Sequence, residues 1–194
     1  TERIRALASP LSETMGAIGT VLLLWFGGRM VVEGQLTQRS ANQGFNTRLN
    51  MQGYTLTVAP TGSYSVENGS GGDRYVWGSI HNEGTVTIAD IVPFQTAGAL
   101  YVNHGTWTVT SGGQMHMAVG AEQTFEQRDG TLTLDGITQL HGGSFDMLGG
   151  EVLGSQWLHM LGSSLDIDPL AAGTAKFLLG NGCSLSGVVH ESQH

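Results

Sequence analysis

One short phrase recurs along this chain and constrains its fold more than any other feature. Gly84-Thr-Val-Thr-Ile88, Gly105-Thr-Trp-Thr-Val109 and Gly130-Thr-Leu-Thr-Leu134 are near copies that start 21 and 25 residues apart. Gly53-Tyr-Thr-Leu-Thr-Val58 is a fourth version with one extra residue. Self-similarity at a period of this size marks a repeat architecture. Within each phrase polar and apolar residues alternate, which is the period of a strand buried on one face. Val86, Ile88, Trp107, Val109, Leu132 and Leu134 are expected to point inward and the threonines outward. The opening glycine follows Glu83, His104 or Asp129 and is expected in a turn of positive φ.

Shorter strand candidates lie between the phrases: Gln114-Met-His-Met117, Ser144-Phe-Asp-Met147, Trp157-Leu-His-Met160, Ser164-Leu-Asp-Ile167 and Ser184-Leu-Ser186. Two or three short strands per repeat, separated by glycine turns, fit the coils of a solenoid. The fold expected from this is all-β, a parallel β-helix over about residues 44–190, within a domain 38–194. The rival is a β-sandwich, which has no need for one phrase to recur. The 30 glycines among 194 residues fit many tight turns, because 40% of the residues are still apolar. The Gly-Thr-φ-Thr-φ strands resemble the repeats of bacterial autotransporter passengers, which implies a protein of the cell surface.

Residues 1–37 differ in character. No charge falls between Thr14 and Gly28, and Val21-Leu-Leu-Leu-Trp-Phe26 is strongly apolar. Pro10, Ser12 and Glu13 suit a helix start, and a helix over residues 10–33 would be about 36 Å long, enough to cross a bilayer. It serves equally as a helix capping a solenoid. Arg5-Ala-Leu-Ala-Ser-Pro10-Leu-Ser-Glu13, Gly16-Ala-Ile-Gly-Thr-Val21, Leu24-Trp-Phe-Gly-Gly-Arg29 and Glu33-Gly-Gln-Leu-Thr37 resemble the fifth membrane helix of bacterial ABC exporters. That resemblance implies a membrane helix and no more, because the chain has no phosphate-binding Gly-x-x-x-x-Gly-Lys-Ser/Thr loop. Arg3 and Arg5 ahead of the apolar run would then place the β part outside the cytoplasm.

Net charge is −8, with eight Lys and Arg and no basic run. This argues against nucleic acid as a partner, since backbone binding needs clustered cations. Cys183 is the single cysteine, so no internal disulfide and no Cys-pair metal site can form.

Several side chains are candidates for chemistry. The pairs Thr55/Thr57, Thr85/Thr87, Thr106/Thr108 and Thr131/Thr133 would form a flat hydroxyl ladder if coils stack, as in ice-binding solenoids, though unequal repeat lengths oppose this. Tyr75 and Trp77 share one parity and are expected on an exposed loop, where they could stack on a glycan. Asp166 and Asp168, with Asp146 and Glu151, are the acids a polysaccharide-active β-helix would use, with only Lys176 as a lysine. The seven histidines show no metal-ligand spacing apart from His190/His194; His116 and His159 are expected to face out. No metal and no cofactor is expected. The favoured function is a non-enzymatic extracytoplasmic structural or adhesive segment, tethered to the membrane through residues 10–33. It would contact a surface glycan or another cell-surface protein. The alternatives are ice binding through the Thr-x-Thr ladder and a polysaccharide-active enzyme.

Overall fold

A computed structural model of the protein describes residues 23–26, 29–40, 46–69, 71–117, 122–174 and 176–189. The chain winds as a parallel β-solenoid. It opens with β1 (Leu23–Phe26), β2 (Arg29–Val32) and β3 (Gln35–Gln38), followed by the long strand β4 (Thr47–Val58), then β5 (Ser63–Val66) and the long strand β6 (Arg74–Asn82). Regular coils of three strands follow: β7 (Thr85–Ile88), β8 (Ile91–Phe94) and β9 (Leu100–Asn103); β10 (Thr106–Val109), β11 (Gln114–Met117) and β12 (Thr124–Gln127); β13 (Thr131–Leu134), β14 (Ile137–His141) and β15 (Ser144–Met147). Two more complete the series: β16 (Glu151–Leu153), β17 (Trp157–Leu161) and β18 (Ser164–Ile167); β19 (Ala172–Gly173), β20 (Lys176–Leu179) and β21 (Ser184–Gly187).

Among the described residues the strands make two sheets, one of fourteen strands and one of seven. The seven-stranded sheet runs β3-β5-β7-β10-β13-β16-β19, one strand per coil, so there are seven coils. The larger sheet divides at β6, whose first half pairs β8 and whose second half pairs β9. Each regular coil therefore has three sides. We name them by their outward residues: a hydroxyl face (β3, β5, β7 and onward), a mixed face (β8, β11, β14, β17, β20) and an acidic face (β9, β12, β15, β18, β21).

The three repeated phrases are β7, β10 and β13, and they stack as read from the sequence. Trp107 sits between Val86 and Leu132 in one interior column, all fully buried. Their parallel pairing removes the sandwich rival. The interior is apolar and aromatic: Trp107 meets Phe125 edge-on at 5.2 Å between centroids, and Phe125 stacks on Phe145 at 5.4 Å. Such pairs add about 0.5–1.5 kcal/mol each beyond their buried area.

One corner carries a buried polar ladder instead. Asn82, Asn103 and Gln127 are fully buried. Asn82 Nδ2 donates to Asn103 Oδ1 at 2.7 Å, and Asn103 Nδ2 donates to Gln127 Oε1 at 2.8 Å. Each amide also caps a carbonyl of the chain turning onto the hydroxyl face: Thr106, Thr131 and Gly130. The side-chain amides add donors to the carbonyls at this corner, and the Gly130 carbonyl also accepts the Glu151 N–H at 3.0 Å.

Three sequence expectations are corrected. The helix over residues 10–33 is not formed where the chain is described. Leu23–Phe26 and Arg29–Val32 are antiparallel strands, and the second also pairs in parallel with β4. An apolar run reads alike as helix or strand, and Gly27-Gly28 between two such runs is a hairpin signal. Residues 10–22 lie outside the described residues, and no described helix is long and apolar enough to cross a membrane. The sheets also run across residue 37, because β3 pairs β5.

The second correction concerns the phrase-opening glycines. Gly84, Gly105 and Gly130 are absent from the positive-φ set, which includes Gly142, Gly143 and Gly150. They are glycine because they stack on one another: a Cβ on Gly105 would collide with the Gly84 carbonyl, and one on Gly130 with that of Gly105. The third concerns Thr55/Thr57. This pair lies on the second half of β4 beside Ser79/His81, on the acidic face, and does not join the other Thr pairs.

Candidate functional site

The outer faces carry the polar chemistry, in columns that run along the solenoid. On the hydroxyl face, β5, β7, β10 and β13 pair in register, so Ser63, Thr85, Thr106 and Thr131 form one column. Thr37, Ser65, Thr87, Thr108 and Thr133 form the next. Thr37 and Ser65 hydroxyls lie 3.3 Å apart. The columns end at Glu151 and Leu153. Repeats of unequal length still bring these strands together in register. Serines extend the ladder where the sequence reading saw only threonines. Their signal is the Ser63-Tyr-Ser-Val66 alternation.

On the mixed face, Pro93, His116, Gln139, His159 and Leu178 form one outward column. Both expected outward histidines are there. Burial and the neighbouring His141 lower the His116 pKa, and its Nε2 is buried without a partner. Tyr75 and Trp77 lie on β6, not on a loop, and both point outward. The Arg48 guanidinium covers them, 5.8 Å from the Tyr75 ring centre and 4.9 Å from that of Trp77. Tyr75 Oη donates to Asp73 at 2.9 Å, and Trp77 Nε1 donates to Gln95 at 3.3 Å. Their rings are therefore engaged within the protein. Arg74, behind them, is buried and paired with Asp90 at 2.7 Å.

The acidic face brings together two of the candidate acids, Asp146 and Asp166, with a third, Glu126. Glu126, Asp146 and Asp166 stand on successive coils in one column. Burial raises the Asp146 pKa, and the carboxylates of Glu126 and Asp166 push the same way against a Ser144 hydrogen bond. Arg128 holds Glu126 at 2.8 Å, and Ser186 Oγ donates to Asp166 at 2.9 Å. Asp168 is not beside Asp166. It lies past the end of β18 and accepts the Leu170 N–H at 2.8 Å, closing a turn. Glu151 is on the hydroxyl face. Glu126 was missed, although Thr124-Phe-Glu-Gln127 precedes Ser144-Phe-Asp-Met147 by 20 residues in the same pattern.

Nearer the N-terminal end, the same face holds a groove of about 390 Å³ between Thr55/Thr57, Ser79/His81 and Leu100/Val102. His81 Nε2 lies 3.3 Å from Glu83, and the His81 ring packs 5.2 Å from that of His104, whose Nδ1 is 2.8 Å from Asp129. No three His, Cys, Asp or Glu among the described residues are placed to hold a metal ion. The chain matches no family model, no curated protein and no solved structure. Neither family resemblance of the sequence gains support from these comparisons.

Proposed function

We propose that this chain is a non-enzymatic structural or adhesive solenoid segment that works outside the cytoplasm, meeting a surface glycan or another cell-surface protein through its outer faces. The observation that carries the reading is the columnar order of those faces. Like side chains recur on successive coils about 4.8 Å apart, the strand spacing of a sheet. A rigid face of this kind suits repetitive partners, because each coil adds a weak contact without further ordering cost. The membrane helix forms no part of the proposal.

Passing the purified chain over immobilised surface polysaccharides tests it. Retention without shortening of the polysaccharide is the expected result. Depolymerisation that Asp146→Asn or Asp166→Asn abolishes would replace this reading with the enzymatic one. Protease digestion of intact cells that make the full protein tests the location. Cleavage of the solenoid is expected, and full protection contradicts an exposed site.

A second reading, ice binding, is favoured by the in-register hydroxyl columns. Four consecutive coils, β5 to β13, present two hydroxyls each. Inhibition of ice recrystallisation that Thr108→Tyr abolishes would select it.

A further inference from the structure

We propose that the groove between Thr55/Thr57, Ser79/His81 and Leu100/Val102 is a binding site for one or two residues of a neutral sugar. The inference deepens the adhesive reading and rests on it for the kind of partner.

The groove is built by three neighbouring strands. Thr55 pairs with Ser79 and Thr57 with His81 across β4 and β6, and His81 pairs with Val102 across β6 and β9. A bulge of β4 between Asn50 and Thr55 immediately precedes it. Its outward residues form two columns, Thr55, Ser79 and Leu100 beside Thr57, His81 and Val102, and the second continues further along the same face as Glu126, Asp146 and Asp166. Its volume, about 390 Å³, falls at the lower end of the range of small-ligand sites.

The lining matches a sugar group by group. Hydroxyls donate and accept, as sugar hydroxyls require. Ser79 Oγ already accepts the Leu100 N–H at 3.1 Å, which leaves its own hydrogen to donate. His81 and Glu83 form a half-exposed pair 3.3 Å apart, a donor and an acceptor set side by side for two adjacent hydroxyls. Leu100 is 39% exposed and gives the C–H face of a ring an apolar surface. No Lys or Arg lines the groove, and Glu83 supplies its negative charge. A phosphate or a uronate would meet the Glu83 carboxylate there with no Lys or Arg to offset it, so the sugar is neutral.

The test uses the full chain, labelled with ¹⁵N and titrated with neutral hexose and N-acetylhexosamine oligosaccharides, alongside matched uronate-containing ones. Amide shifts confined to residues 55–57, 79–83 and 100–102, for the neutral sugars, are expected. Thr57→Arg fills the groove from an outward, half-buried strand position and should weaken binding at least tenfold. Glu83→Ala, beyond the end of β6, should do the same if Thr57→Arg fails to fold. Thr133→Lys, on the hydroxyl face, should leave binding unchanged. Shifts centred on Tyr75 and Trp77, binding insensitive to Thr57→Arg and Glu83→Ala, or binding of the acidic sugars alone would overturn the site while leaving the adhesive reading in place. No binding of any glycan up to several millimolar would overturn the site, and retention on immobilised cell-surface protein would then decide the adhesive reading.

Discussion

Single residues in this fold are read by two neighbours, one in the preceding coil and one in the next. Asp146 illustrates the consequence. Glu126 and Asp166 flank it, and burial together with their charges raises its pKa. The folded protein therefore holds the Asp146 proton more tightly than the unfolded chain does. Stability is then lost as pH rises from below the ordinary carboxylate value, about 3.9, through the raised one. Asp146→Asn should raise the melting temperature at pH 7 and leave it unchanged near pH 3. A lower melting temperature at pH 7 would contradict this. Asn103 shows the opposite dependence on a neighbour. Asn103→Leu removes the donor to Gln127 and Thr131 and the acceptor for Asn82. An orphaned buried polar group costs about 1–3 kcal/mol, so a loss of that order is expected in urea unfolding. A loss within error would contradict the ladder. The inward residues of the phrases were legible in the sequence, since alternation fixes parity. Of the acid column, Asp146 and Asp166 were among the candidates but Glu126 and the stacking were not, because the column joins residues 20 apart that the coil register brings together.

At the scale of elements, strand and turn chemistry explain both the successes and the misses of the sequence reading. The Gly-Thr-φ-Thr-φ strands are explicit: β-branched residues, strict alternation, glycine punctuation. The apolar run before them is ambiguous by nature, because an unbroken apolar segment carries no period. The structure resolves it for Leu23–Phe26 and Arg29–Val32 as paired strands. The opening glycines were legible as glycines but not for their reason. A Cβ on Gly105 would run into the Gly84 carbonyl and the Glu83 backbone of the preceding coil. Gly105→Ala must push two coils apart, and overpacking of this kind costs about 1–3 kcal/mol. Chemical denaturation should show that loss, whereas Gly98→Ala places its Cβ in open space and pays only for a φ of +67°. Equal losses at the two positions would show that close stacking is not what selects glycine at Gly105.

The whole molecule is a stack in which sequence distance and axial distance are decoupled. From Thr37 to Leu153 the second hydroxyl-face column advances one coil at a time through Ser65, Thr87, Thr108 and Thr133. The repeats between these positions are unequal in length, yet each step is one strand spacing. This decoupling is what gives the faces their columns, and with them every functional reading above. Double electron–electron resonance on spin-labelled cysteine pairs tests it most directly, in a chain with Cys183 replaced by Ser. Labels at residues 37 and 133 should be about 19 Å apart, and labels at 37 and 153 about 24 Å, at about 4.8 Å per coil. Distances that track the number of intervening residues, or broad distributions without this increment, would contradict the stacked-coil account.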